Sequence, residues 1–384
     1  MSATPKAPGR KKQPARQVKT ATRPASEPAA RQWAGLRENL LDWYVVAQRD
    51  LPWRHTTDPY AIWVSEIMLQ QTRVAAVIDR YQQFIARFPT VVHLAQATEQ
   101  EVLALWSGLG YYRRARMLHQ AAQVVAGEMQ GSMPKNSAEL RKLPGIGAYT
   151  AAAIASIAYG EPVAVVDGNV ERVVSRLGGW DFGAEGGDTK LRRRIETVAG
   201  QMLAPSRPGD FNQAMMELGA TVCTPRGPQC LVCPVVQDCL TKGEHRTVSR
   251  APMSSQDAAY ALAVRDGTMG DSEVLLEQRA QSQTVMPGLW ELPPLREAAV
   301  PDQDLRMTVR HAIMQVNYTV RIRTVPEPDV DAVTVAGGDR RWVPLTEASG
   351  MALTGLTRKV LTRAHLLSGG PGKRKSSQLG DTAH

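Results

Sequence analysis

Nowhere in this chain of 384 residues does an apolar run reach the ~18 residues that a helix needs to cross a bilayer, so no membrane span is expected. The first 31 residues lack the apolar core of a secretory signal. They are arginine-rich and acid-poor, as transit peptides are, but their prolines and missing apolar face argue against an amphipathic helix and leave a disordered basic arm. Excess charge is absent from the middle of the chain. Residues 1–31 carry eight basic side chains against Glu27, residues 370–384 carry three against Asp381, and these tails hold the whole net charge of +9. Any nucleic-acid footprint on the folded part must be a local patch, with the tails adding loose, salt-sensitive attraction.

Cysteine is scarce. The four present fall within seventeen residues, as Cys223-x6-Cys230-x2-Cys233-x5-Cys239. That grouping argues against scattered core cysteines, and nothing points to the secretion that would favour disulfides. Four thiolates suit a structural zinc or an iron–sulfur cluster. One short hook between a six-residue and a five-residue loop, where zinc sites usually show two short hooks, tilts the spacing toward the cluster.

What is present is organised around residues 136–177. Asn136 with Glu139 three positions on forms a capping-box pattern, and Leu143-Pro144-Gly145-Ile146-Gly147 then breaks the chain before Tyr149-Thr150-Ala151-Ala152-Ala153-Ile154 starts a new helix. A glycine turn between two helices bares backbone N–H groups beside a helix N-terminus, so Gly145 and Gly147 offer a phosphate seat, although a plain helical corner has the same pattern. Asp167 opens the next helix, whose Val170, Val173, Val174 and Leu177 recur at helical spacing. Its simplest role is an N-cap. Some twenty residues after a phosphate seat, the same carboxylate is placed to face a sugar.

Upstream, helices are expected over 32–48 and 60–77, separated by Leu51-Pro52-Trp53-Arg54. On the second, Ile62, Glu66, Leu69 and Arg73 share a face. Burial among Ile62 and Leu69 would raise the Glu66 pKa, as a general acid at neutral pH requires, whereas pairing with Arg73 or Arg54 would make it structural. Gln70-Gln71-Thr72 continues this helix with polar groups able to wedge between bases. Trp106 to Tyr112, followed by Arg113, Arg114 and Arg116, interleaves aromatics, glycines and cations in a way that suits stacking and phosphate contact. Beyond Cys239 the composition turns polar over 244–257, a linker signature, and then to β. Strands are expected over 260–264 and 273–278, a strict period-two strand or hairpin over 312–323, and helix within 345–367.

Taken together, these stretches resemble adenine DNA glycosylases of the MutY type, members of the helix-hairpin-helix glycosylase superfamily. The likeness rests on Leu51–Arg54, Val64–Thr72, Gly108–Tyr112, Leu143–Gly147, Val166–Val170, Phe211–Ala214 with Glu217–Gly219, and the four cysteines. It implies an all-α glycosylase domain over 32–245, a linker over 246–256, a Nudix-like α+β domain sensing 8-oxoguanine over 257–367, and disordered tails at 1–31 and 368–384. It further implies hydrolysis of adenine from A:8-oxoguanine or A:G mispairs in duplex DNA, by an intracellular, DNA-associated monomer, and a single 4Fe–4S cluster on Cys223, Cys230, Cys233 and Cys239.

Residue by residue, the resemblance gives Glu66 the protonation of adenine N7 and Asp167 the stabilisation of an oxocarbenium-like sugar. Asn169 and Tyr149 would line that site, Arg54 and Gln213 would lie near the flipped base, and Gln71 and Tyr111 would wedge into the opened duplex. Where similar endonuclease III enzymes carry a Schiff-base lysine, this chain has Tyr149, which implies base removal without strand cleavage. Met286 to Pro293 is the clearest Nudix-like stretch, but no Gly-x5-Glu-x7-Arg-Glu-x2-Glu-Glu pattern accompanies it, so pyrophosphate hydrolysis is not expected. Where the family commonly reads the lesion with a Phe-Ser-His loop, this chain has Val309-Arg310-His311, keeping only His311. Two other readings remain open: a related glycosylase with another target base, and a non-catalytic DNA-binding iron–sulfur protein. The C-terminal domain argues against the first, and retention of two carboxylates facing a polyanion argues against the second.

Overall fold

A computed structural model describes residues 33–180, 189–245, 252–267, 270–298, 300–335 and 337–368. The basic arm and all but the first residue of the C-terminal tail lie outside these. The first part is all-helical: α1 (Trp33–Ala47), α2 (Pro59–Leu69), α3 (Val74–Arg87), α4 (Val91–Gln96), α5 (Glu99–Leu105), α6 (Arg113–Glu128), α7 (Ser137–Leu140), α8 (Ala148–Tyr159), α9 (Gly168–Gly178), α10 (Thr189–Met202) and α11 (Pro208–Thr221). Among the described residues, no helix is long and apolar enough to cross a membrane.

These helices bury two separate cores. One gathers α2 to α8 around Trp63, Met68, Phe84, Trp106 and Ile154. The other returns α1 from the start of the chain to pack Leu36, Leu40 and Tyr44 against Val170, Val173, Phe211 and Leu218 of α9 and α11. The two cores join where α8 packs on α2 and α11 packs on both α8 and α9. Local chemistry sets several of the helix starts. Asp58 accepts the Tyr60 N–H and Pro59 occupies the first turn of α2, Asn136 accepts the Glu139 N–H at α7, and Thr98 with Glu101 closes a full capping box on α5.

One expected helix is in fact two. The chain leaves α2 at Leu69, Gln71 adopts φ 55°, and α3 restarts at Val74 after Arg73. No Gly or Pro announces the break, because a tertiary contact holds it: Arg114 donates to the Ile67, Met68 and Gln70 carbonyls at the end of α2. Gln70, Gln71 and Thr72 therefore form a turn and not a helical face, and Arg73 is no longer on the face of Glu66.

The second part is α+β. A three-stranded sheet has the order β1 (Ser254–Leu262), β6 (Val316–Thr324), β5 (Leu305–Ile313), with β1 parallel and β5 antiparallel to β6. In a second sheet β3 (Ser272–Gln278) pairs antiparallel with β2 (Val264–Asp266), β4 (Trp290–Glu291) and β7 (Arg340–Pro344). The short helices α12 (Val330–Val333) and α13 (Leu345–Ala348) and the longer α14 (Gly355–Arg363) complete it, with Leu356, Val360 and Leu361 of α14 packed on Val309, Val320 and Ile322. The period-two stretch is a hairpin, since β5 and β6 pair from Ile313 and Val316 outward. The first strand begins at Ser254, earlier than expected and inside the 246–256 stretch read as linker. Leu289 and Ala352 sit in the core of α2 to α8, and Tyr112 donates to the Leu353 carbonyl at 3.2 Å, so this part is docked against the helices.

Candidate active site

Every residue of α2 from Tyr60 to Met68 is buried, and Glu66 is the one carboxylate among them, only 6% exposed. Burial pushes its pKa up to about 7; the Tyr149 hydroxyl bond and the charge of Arg54 pull it down, and the charge of Asp167 adds to the rise. The Tyr149 hydroxyl, in the first turn of α8, donates to Glu66 Oε2 at 2.6 Å and lies 3.5 Å from Met216 Sδ. Asp167 stands at the start of α9 and uses its two oxygens differently. Oδ1 accepts the Val170 N–H at 2.7 Å, which is the capping role, while Oδ2 accepts Asn169 Nδ2 at 2.8 Å. Residues 101 positions apart in the chain thus share one electrostatic neighbourhood, Glu66 from one core and Asp167 from the other.

Sequence reasoning missed Glu217 as a participant, although the stretch around it carries the resemblance. It is 1% exposed on α11 and receives Arg49 on both oxygens and Arg54 at 2.7 Å. Burial would raise its pKa, but the two guanidiniums outweigh that and hold it at about 2. Arg54, expected near a flipped base, has its head occupied by Glu217 and the Arg49 carbonyl, and it influences Glu66 only by charge. Gln213 lies half-buried one turn before Glu217 on the same helix. Beside it, buried Asn212 bonds the Val165 N–H, the Val163 carbonyl and Ser156 Oγ, pinning the segment that leads to Asp167.

Behind Asp167 a polar chain runs to the cysteines. Arg172 donates to Asn169 Oδ1, to the Gly219 carbonyl and to the Cys223 carbonyl, at 2.9, 2.7 and 2.9 Å. All four cysteines are free and half-buried, and Cys223, Cys233 and Cys239 pack against the core of α9 to α11. Buried Arg176 donates to Cys223 Sγ at 3.3 Å, and the Lys242 N–H to Cys239 Sγ at 3.4 Å. Among the described residues, no group of three or more His, Cys, Asp or Glu side chains is arranged to hold a metal ion. An apolar seat with N–H groups aimed at sulfur is the chemistry that suits thiolates shared by an iron–sulfur cluster.

A cavity of about 1110 Å³ opens between the helices and the C-terminal part. Its walls include Gln71, Tyr111, Gly145 and His311, four of the expected contact residues, together with Trp63 and Ile67 of α2, but not Glu66. Gly145 has φ +73°, and a Cβ there would meet Met117 Cβ at 2.6 Å, so both conformation and space demand glycine. Gly147 caps α8 in extended backbone with open space around it. Val309-Arg310-His311 is not a loop but part of β5. Val309 is fully buried, Arg310 points to solvent, and His311 reaches the cavity beside Gly355, its pKa lowered by burial and Lys359. The hairpin tip brings in Met314, unforeseen, 71% exposed with φ 54°.

Residues 64–197, which span Glu66, the cavity turns and Asp167, match the family described as HhH-GPD superfamily base excision DNA repair protein. The chain belongs to that superfamily. Within it, the chain is 41% identical over 310 residues to the adenine DNA glycosylase of Mus musculus, covering 67% of this chain and 60% of that one. It is 46% identical over 199 residues to the adenine DNA glycosylase of Mycolicibacterium smegmatis, covering 51% and 66%. The chain therefore spans about six tenths of the length of these curated relatives. Among solved structures, a thermostable thymine-DNA glycosylase superposes with TM-score 0.50 at 29% identity, over 55% of this chain and 97% of that one.

Proposed function

We propose that this HhH-GPD protein removes adenine mispaired with 8-oxoguanine or guanine in duplex DNA, hydrolysing the N-glycosidic bond. The observation that carries this is the buried Glu66, held by Tyr149 with a pKa near neutrality and within the field of Asp167. With its acid form well populated at neutral pH, Glu66 gives its proton to N7 of an extruded adenine, and the C1′–N9 bond breaks with its electrons leaving on the base. Asp167 faces the cation formed at the sugar, oriented by Asn169. Water then closes the reaction, adding to C1′ and losing its proton to a carboxylate. General acid catalysis supplies roughly 10²–10⁴-fold, so electrostatic stabilisation of the cation must provide the rest. Tyr149 cannot form an imine, which supports base removal without strand cleavage.

Gln71 and Tyr111 would enter the opened duplex, Gln213 would lie near the flipped base, and the turn at Gly145 and Gly147 would take a phosphate. Cys223, Cys230, Cys233 and Cys239 would hold one 4Fe–4S cluster, which supplies cross-linking of the loop that Arg172 and Arg176 brace. The α+β part would act as a Nudix-like reader of the base opposite, keeping His311, with Arg310 and Met314 in place of an aromatic and a hydroxyl. Likeness to a thymine-DNA glycosylase keeps a second target base in view.

Single-turnover excision on duplexes carrying A opposite 8-oxoguanine, guanine or thymine, and T opposite guanine, tests the proposal, with strand breaks scored before and after alkali. Fast adenine loss opposite 8-oxoguanine with breaks only after alkali is the expected result. Equal rates opposite 8-oxoguanine and guanine would mean that β5 no longer reads the lesion. Loss of thymine and not adenine would transfer the chemistry to the second target.

A further inference from the structure

Arg114 follows an aromatic, glycine-rich stretch and is easily taken for one more phosphate contact. It turns inward instead. Nη1 donates to the carbonyls of Ile67 at 2.7 Å, Met68 at 3.2 Å and Gln70, the last turn of α2, where orphan carbonyls and the helix dipole favour a cation. Nη2 donates to Thr72 Oγ1, the Leu109 carbonyl and the Gly110 carbonyl, each at 3.2 Å. The guanidinium also lies 5.5 Å from the ring centres of Trp106 and Tyr111. Thr72 Oγ1 adds a cross-bond to the Leu109 carbonyl at 3.3 Å.

The two turns tied in this way are both strained. Gln71 has φ 55° and Tyr111 φ 48°, left-handed backbone that non-glycine residues avoid, with Gly108 and Gly110 at 96° and 69° alongside. Tyr111 is nonetheless 52% exposed, Gln71 is exposed too, and both line the cavity. The 70–73 turn has no buried side chain of its own, the 108–112 turn is seated by Leu109, Tyr112 and the Trp106 Nε1 bond to the Gly110 carbonyl, and the side chains that bond across the two are Arg114 and, through one hydroxyl, Thr72. Burial lowers the Arg114 pKa to about 10, which leaves it charged at neutral pH.

We propose that Arg114 is a positioning residue that fastens the turns bearing Gln71 and Tyr111 into a single wedge, so that the two side chains enter an opened duplex as a unit. This rests on the reading of the site as a base-extruding glycosylase. The planar fork meets six acceptors around the two turns; a lysine at this place keeps the charge but, with one nitrogen and three donors, loses at least half of those bonds.

The test uses the full chain with Arg114→Met, Arg114→Lys and the milder Thr72→Val. Amide exchange without DNA is read first. Residues 70–73 and 108–112 should both exchange at least tenfold faster in the two Arg114 variants and rise together, to a smaller extent, in Thr72→Val, while α9 keeps its protection. Loosening of one turn alone overturns the proposal. The second readout is 2-aminopurine fluorescence at the target position, together with adenine excision. Gln71→Ala and Tyr111→Ala should each slow extrusion in the wild-type background and add less than twofold in Arg114→Met. Equal costs in both backgrounds would show that Arg114 does not couple them. Should the wild type excise no adenine, the function reading fails while the exchange result still decides the wedge. If Arg114→Met does not fold, Thr72→Val and Arg114→Lys carry the same comparison.

Discussion

Two glutamates are buried within the field of the same arginine, Arg54, and their surroundings drive them to opposite states. Glu66 on α2 is 6% exposed and has a phenol as its hydrogen-bond partner, with a like charge nearby and its pKa near 7. Glu217 on α11 is 1% exposed, yet two guanidiniums grip both its oxygens and its pKa falls to about 2. Arg54 stands beside both and bonds only one. Burial alone therefore does not make an acid. A buried carboxylate becomes a proton donor when its neighbours are too weak to repay the desolvation of its charge, and a structural anchor when they over-repay it.

The strongest way to break this contrast is Glu66→Gln. Excision should fall by roughly 10²–10⁴-fold in single-turnover assays while duplex binding persists; unchanged excision removes Glu66 from the mechanism. Next comes Glu217→Gln, which leaves Arg49 and Arg54 without their shared anion and should cost about 3–5 kcal/mol in urea unfolding at pH 7. Because the folded pKa of Glu217 is depressed, its contribution is present above the unfolded value near ~4.3 and is lost as pH falls through about 2. The acid limb of wild-type stability should flatten in the variant, and a parallel limb in both proteins would contradict the assignment.

Glu66 has the reverse sign. Its folded pKa is raised, so the native state holds a proton that the unfolded chain releases, and stability declines as pH rises from roughly 4.3 to about 7. Glu66→Gln, neutral throughout, should match the wild type at pH 4 and exceed it by roughly 3–4 kcal/mol at pH 8. Tyr149→Phe is the gentlest probe. Its stability cost should be about 1 kcal/mol. Since the hydroxyl stabilises ionised Glu66, its loss should move the alkaline limb of the excision profile to higher pH. A shift to lower pH would mean that the bond favours the acid form.

Much of the site is legible in the sequence because its residues carry local signals. Asn136, Pro144 and Gly145 mark a helix–turn–helix by capping and breaking rules; Asp167 sits where a cap belongs; the cysteine spacing marks a cradle by count alone. Where the sequence misleads, the cause is a contact from far along the chain. The break after Leu69 depends on Arg114, and Arg54, one of the arginines offered as a partner for Glu66, is taken by Glu217. Val309-Arg310-His311 reads as a loop only through family likeness, whereas its periodicity is that of the strand it occupies.

The chain by itself marked the all-helical part, the α+β part that follows it, the grouping of the thiols and two candidate carboxylates, since caps, turns and residue spacing act within a few positions. Only tertiary structure decided which carboxylate keeps its proton. That depends on desolvation and on partners brought in from α8, α9 and the Arg49–Arg54 segment, and no local rule fixes the balance between them.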